Sequence, residues 1–277
     1  MGSKVTDESS RRAGRTDAPR RLADSLASAD AAYLEGALGN PALNEDLLVL
    51  LLRNRRATAE VLRQVHDGRR FRRSPQVQAA LACHPRTPRA LAMNLVPYLN
   101  WRDLAQVGNH ALAPAPVRRS ALRYLGERFN EMALGEQTHL ARTAGRAVLS
   151  VIVRLGSAEV VRALLQNPHL TEDDLVSLCS HHNTPPAILE MVARDPRWTR
   201  RYRVRQTLVH HEGAPLAVIL GLLTGLLSRE LEELARRPDR PPVVRLAARR
   251  ILRRRHRSSG WRPRRRPEVY VLDDDET

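Results

Sequence analysis

Two stretches of this 277-residue chain set guanidinium groups beside aromatic rings: "RRFRRSPQVQ" at 69–78 and "RWTRRYRVRQ" at 197–206. In the first, Arg69, Arg70, Arg72 and Arg73 surround Phe71; in the second, Arg197, Arg200, Arg201, Arg203 and Arg205 surround Trp198 and Tyr202. A guanidinium fork meets the oxygens of a phosphate or carboxylate in pairs, and a neighbouring ring can stack a base or hold an arginine by a cation–π contact. The chemistry on offer is anion or nucleic-acid binding. A second reading needs no ligand: Phe71 and Trp198 anchor a turn in the core while the arginines lie solvated beside them.

Other chemistry-bearing residues point less far. Cys83-His84 aligns with His210-His211, and Cys179, His181 and His182 fall one helix end earlier. Zinc favours such N/S ligands, but no CxxC or HxxxH spacing occurs, and a helix end is a favourable place for a histidine on its own account. No metal and no cofactor is expected. The two cysteines sit in apolar helical patterns and read as buried small hydrophobes. There is no Gly-rich phosphate loop, GxSxG elbow or HExxH, and acids such as Asp173, Asp174, Glu232 and Glu233 fall at helix starts or on polar faces. No catalytic residue is assigned, and the chain is read as a non-enzyme.

The formal net charge of +16 favours anionic partners. Lys4 is the sole lysine among 46 basic residues, so part of the charge reflects arginine-rich coding. Residues 31–252 still keep +12 of it. Aromatics are only 4% of the chain, and a core of Leu, Val, Ala and Ile suits helices packed on helices. No apolar run approaches the ~20 residues of a membrane span, and the first residues lack a signal-peptide core, so a soluble cytoplasmic protein is expected.

The elements that would position the arginines are written twice. "NPALNEDLLVLL" at 40–51 returns as "NPHLTEDDLVSL" at 167–178, and an offset of 127 runs ungapped from Leu38/Leu165 to Leu125/Leu252, with about 28 of roughly 88 pairs identical. Asn44 before Glu45-Asp46, Thr171 before Glu172-Asp173-Asp174, and the Thr87-Pro88 and Thr184-Pro185 pairs each mark a helix start. These signals predict helices near 45–54, 58–66, 75–83, 88–96, 101–107 and 115–129, with counterparts one offset later. Three more are expected between the copies, with breaks at Gly135, Gly145 and Gly156. Helices of about ten residues are unstable alone and must stack.

The phrases "NPHLTEDDLVSL…NTPPAILEMVARDP" and "CHPRTPRALAMNL" resemble helical-repeat solenoids, specifically HEAT-like repeats and the leucine-rich repeat variant family, over roughly 38–252. The resemblance implies an all-α, right-handed α-solenoid of short helical hairpins. The variant family is associated with a cysteine-bound iron–sulfur cluster; this chain has no such cysteine set, so nothing of it carries over. The expected organisation is a disordered tail at 1–18 and one solenoid domain at 19–252. That domain has duplicated units 38–125 and 165–252 joined by helices in 126–164, and a disordered basic-then-acidic tail follows at 253–277. Trp101, opposite Ser228, reads as core or as a contact on the concave face, and Trp261 as part of a short linear motif or a flexible nucleic-acid contact.

A duplicated helical stack builds a long surface, which suits an extended partner. The sequence therefore gives first place to a scaffold or adaptor binding a protein or peptide on a basic surface, and second to nucleic acid bound through the two junctions. A helical-repeat DNA glycosylase is a third reading, by fold analogy alone.

Overall fold

A computed structural model describes residues 2–258. Every regular element among them is helical. The chain divides into two compact units, Met1–Leu170 and Thr171–Thr277, where the duplication suggested one domain over 19–252. No helix among the described residues is long and apolar enough to cross a membrane.

The first unit holds α1 (Gly2–Thr16), α2 (Pro19–Leu26), α3 (Ala31–Leu38), α4 (Glu45–Arg53), α5 (Ala59–Asp67), α6 (Pro75–Cys83), α7 (Arg89–Leu95), α8 (Trp101–Asn109), α9 (Ala115–Arg128), α10 (Leu134–Thr143), α11 (Arg146–Ile152) and α12 (Ala158–Leu164). The second holds α13 (Glu172–Ser180), α14 (Pro186–Arg194), α15 (Pro196–Thr199), α16 (Tyr202–His210), α17 (Leu216–Leu222), α18 (Ser228–Arg236) and α19 (Pro242–Ser258). Short 3-10 turns at Val96–Tyr98 and Leu223–Gly225 follow α7 and α17.

Capping sets the starts. Asn44, Thr58, Ser74 and Asn100 accept from the backbone N–H three residues on, and Thr171 is tied to Asp174 through both its N–H and its hydroxyl. In the first unit α4 packs on α2 and α6, α6 on α8, and α7 on α9. Leu48, Leu51, Leu62, Val77 and Leu81 are buried there together. In the second unit α16 packs on α13 and α17, and α18 on α19, around Ile219, Leu223, Leu231, Leu234 and Val244.

One turn recurs between paired helices. At Asn54, His84, His110, His181, His211 and Arg237 the helix ends and the N–H three residues later closes back on the carbonyl. The side chain at the first position does further work. Asn54 accepts from the Arg56 N–H and donates to Leu26 O and Ala29 O; Asn40 and Asn167 do the same with their own neighbours. His84 accepts at Nδ1 from the Arg86 N–H, so Nε2 carries the proton and donates to Asn54 O at 3.2 Å. His211 repeats this with Gly213 and His181 O, and Arg240 then donates to His211 O and His210 O. At Asn40, Asn54, His84, Asn167 and His211 the turn is thus tied to the one before it through a buried side chain, which satisfies carbonyls that would otherwise be orphaned.

Residues 1–18 were expected to lack structure, yet α1 lies against α3. A Cβ at Gly14 would overlap Tyr33 O and one at Gly36 would overlap Arg11 O, so the two backbones meet at glycines and not through an apolar stripe. Arg11 pairs with Glu35 at 2.6 Å, and Ser10 donates to Asp30. The expected tail at 253–277 likewise begins as helix, since α19 runs to Ser258; the remainder, with Trp261, lies outside the described residues.

Candidate nucleic-acid interface

The junction at 69–73 is the turn between α5 and α6. Phe71 is half-buried against the first unit's core, and the Arg70 guanidinium stacks on it at 5.0 Å while donating to Pro41 O. Arg70 is thereby a packing residue. Arg69, Arg72 and Arg73 are exposed and make no ion pair among the described residues. They line a basin of about 760 Å³ with His66 from α5, Gln78 from α6, and Asn94, Leu95 and Tyr98 from α7 and its 3-10 turn. No carboxylate lines it. Gln78 donates to Arg72 O at 2.8 Å and so fixes the turn that carries the arginines.

Tyr98 is 80% exposed. Its backbone is not loose: Arg128, near the end of α9, donates to Pro97 O at 2.5 Å and Leu99 O at 2.9 Å, on either side of the tyrosine. An aromatic ring is therefore held open to solvent on a pinned turn.

The junction at 197–205 passes through the short helix α15 and closes like the first, with the Arg201 N–H on Trp198 O as the Ser74 N–H is on Phe71 O. Trp198 is buried and Arg197 stacks on it at 4.7 Å, with Asp195 nearby at 4.0 Å. Arg255 of α19 donates to Thr224 O and Leu226 O, the offset counterparts of Pro97 O and Leu99 O. The chemistry differs. Arg203 pairs with Asp173 at 2.5 Å, and the Tyr202 hydroxyl donates to Glu230, which also accepts from Gln206. Arg205 lies over the Tyr202 ring at 5.6 Å with its guanidinium against Gly225, the counterpart of Tyr98. Only Arg200 and Arg201 are left exposed and without an ion pair among the described residues. The sequence candidates thus separate into Arg69, Arg72 and Arg73 around an open basin, and a second set of which Arg197, Trp198, Tyr202, Arg203 and Arg205 are engaged within the fold.

The sequence reading missed His66, Gln78, Asn94 and Tyr98. A signal existed for one of them: at the offset of 127 Tyr98 meets Gly225, and a ring opposite a glycine cannot belong to a shared core.

A second concavity of about 670 Å³ lies between α4, α6 and α8, lined by the apolar Val49, Leu52, Ala80 and Cys83, by the exposed Leu112, and by the polar Arg53, Arg55, Gln76, Gln106 and His110. Asp103 also faces it, its carboxyl pushed up from the ordinary value by burial, and Asn100 donates to it. Burial pushes the Cys83 and Cys179 thiols up to about 12, so both are protonated and unreactive near neutrality. His211 has both ring nitrogens on backbone groups, and His181 and His182 stack on each other at 5.0 Å. Among the described residues no three His, Cys, Asp or Glu side chains are grouped to hold a metal. Trp101 is half-buried and donates to Glu136 of α10 at 2.9 Å.

Comparison with known families, curated proteins and solved structures finds no match to the chain.

Proposed function

We propose that the chain is a non-enzymatic helical-repeat binding protein of α-solenoid type that takes nucleic acid through the first of its two Arg/aromatic junctions. The observation that carries this reading is the basin at 69–98, where Arg69, Arg72 and Arg73 converge without a lining carboxylate. Exposed guanidiniums that are not neutralised internally are available to displace counterions from a polyanion, and the charge of the whole chain adds long-range attraction. The solenoid reading is supported by helix packing in the order α2, α4, α6, α8 within the first unit, and by the turn-to-turn bonding through Asn54 and His84.

The test is a fluorescence titration with a labelled oligonucleotide at several salt concentrations. The Arg69/Arg72/Arg73 triple alanine variant should lose at least about tenfold in affinity and flatten the salt dependence by about two in slope. Equal binding by that variant would remove the basin from the reading.

The groove between α4, α6 and α8 supports a second reading, the scaffold or adaptor: a lining of apolar and polar side chains fits an extended peptide from a protein partner. Ala80→Arg would fill that groove. It should abolish selection of peptides from a displayed library while leaving oligonucleotide binding intact.

A further inference from the structure

The proposed basin is not only a charge. It contains an aromatic ring with no structural task, and the duplication gives an internal control for that statement. Arg128 and Arg255 grip equivalent carbonyls, the turn closes in both copies through Leu99 N–H to Val96 O and Leu226 N–H to Leu223 O, and both chains then continue into a helix. The second copy accomplishes all of this with Gly225. A tyrosine at that point is therefore unnecessary for the turn, and Tyr98, at 80% exposure, contributes little to the core. An exposed ring on a fixed backbone presents a π-face whose ordering cost has largely been met before binding.

Around the ring the polar groups are of two kinds. Arg69, Arg72 and Arg73 suit phosphate oxygens. The Asn94 amide, exposed on α7, offers both donors and an acceptor, as does a base edge. A basin of about 760 Å³ falls within the roughly 300–1,000 Å³ span of small-ligand sites, enough for a nucleotide unit or two, and only an unpaired base can lay its face on Tyr98. We infer that the basin binds a single-stranded nucleic acid, with an unpaired base stacked on Tyr98 and the flanking phosphates held by Arg69, Arg72 and Arg73. A phosphopeptide or a polyphosphate would use the arginines and leave the ring idle. This inference rests on the nucleic-acid reading above and goes beyond it by naming the strandedness and the residue that senses a base.

The experiment compares wild type, Tyr98→Ala, Tyr98→Phe and the arginine triple variant on labelled oligo-dT, oligo-rU, an abasic oligomer of equal length, a duplex and inorganic polyphosphate. Stacking by one aromatic side chain is worth between about fivefold and a hundredfold in affinity. Tyr98→Ala should lose about tenfold on oligo-dT and oligo-rU and change binding of abasic oligomer or polyphosphate less than twofold. Tyr98→Phe should keep wild-type affinity for the single strands. The ratio of oligo-rU to oligo-dT binding then says whether RNA or DNA is the better ligand. Equal loss on abasic and intact strands, or a preference for duplex or polyphosphate over single strands, overturns the stacking inference while leaving charge-based binding in place. Failure of every anion to bind overturns both. Tyr98 is exposed, so an unchanged circular dichroism spectrum and melting temperature are expected for both of its variants and separate lost contact from lost fold.

Discussion

At 70–74 and at 197–201 the chain stacks the matching arginine on a ring, and the 3-10 turn that ends the following helix receives the same backbone clamp, from Arg128 in the first copy and Arg255 in the second. Beyond that skeleton the two regions part. Pro75 and Gln76 follow the first turn; Tyr202 and Arg203 stand at the matching positions in the second. Tyr202 reaches Glu230 and Arg203 reaches Asp173, so the second region turns its polar groups inward and closes. In the first, the matching acids Asp103 and Asp46 have no such donors to meet, and the arginines remain outside. The two copies share a skeleton, and in the first the polar groups beside it stay exposed.

Removing the acid from each copy should therefore have unequal results. Glu230 is 4% exposed and accepts from Tyr202 and Gln206, so Glu230→Ala strands two polar groups and is expected to cost about 2–4 kcal/mol. Asp103 is bonded by Asn100 at its own helix start, and burial already disfavours its charge, so Asp103→Ala should cost no more than about 1 kcal/mol. Urea denaturation of the two variants measures both. Similar losses would mean that the first junction is as structural as the second.

The turns themselves are common to both copies, and His84 tests that shared part. His84→Ala removes a donor to Asn54 O and an acceptor for the Arg86 N–H and should destabilise by about 2–3 kcal/mol. His84→Asn should recover most of this, because asparagine fills the same role at 40, 54 and 167. The histidine adds a pH dependence. Burial, and to a lesser degree Arg86, holds its pKa below the ordinary value near 6.5. The unfolded chain then takes up a proton that the fold refuses. Stability is complete above about 6.5 and falls as pH drops from there toward the folded pKa, by at most about 1.4 kcal/mol per unit from this residue. Stability curves at pH 7 and 5.5 should converge on a smaller difference in His84→Asn than in wild type; an unchanged difference would assign the acid sensitivity elsewhere, with His210, also shifted down by burial, the next residue to replace.

Helix starts in the repeated part could be read from the sequence because they depend on neighbours along the chain. Serine before Pro75, asparagine before Glu45 and proline at 88 set the starts of α6, α4 and α7 within a residue of expectation. The order of α1 could not be read, since what holds it is the approach of two glycines more than twenty residues apart. The same limit applied at the junctions. Charge and aromatic content made the two look alike, and their separation came from Glu230, Asp173 and Tyr98, which arrive from other helices or from the far end of a hairpin. Tyr98 sits 25 residues beyond Arg73 in the chain and reaches it only because α6 and α7 fold back on each other.

The smallest expected effect is the most direct comparison of the two copies. Arg200 and Arg201 are exposed, carry two formal charges, and lie where Arg73 and Ser74 lie in the first copy. By charge alone they should matter as much as Arg72 and Arg73. The rings beside them, Trp198 and Tyr202, are engaged within the fold, so these arginines offer only screened attraction, which at physiological salt extends about 8 Å. The Arg200/Arg201 double alanine variant should therefore keep stability within about 0.5 kcal/mol and oligonucleotide affinity within about threefold of wild type, far from the loss expected at Arg69, Arg72 and Arg73. A loss as large as that of the first junction would show that net charge, shared by both copies, does the binding and that the basin around Tyr98 adds nothing to it.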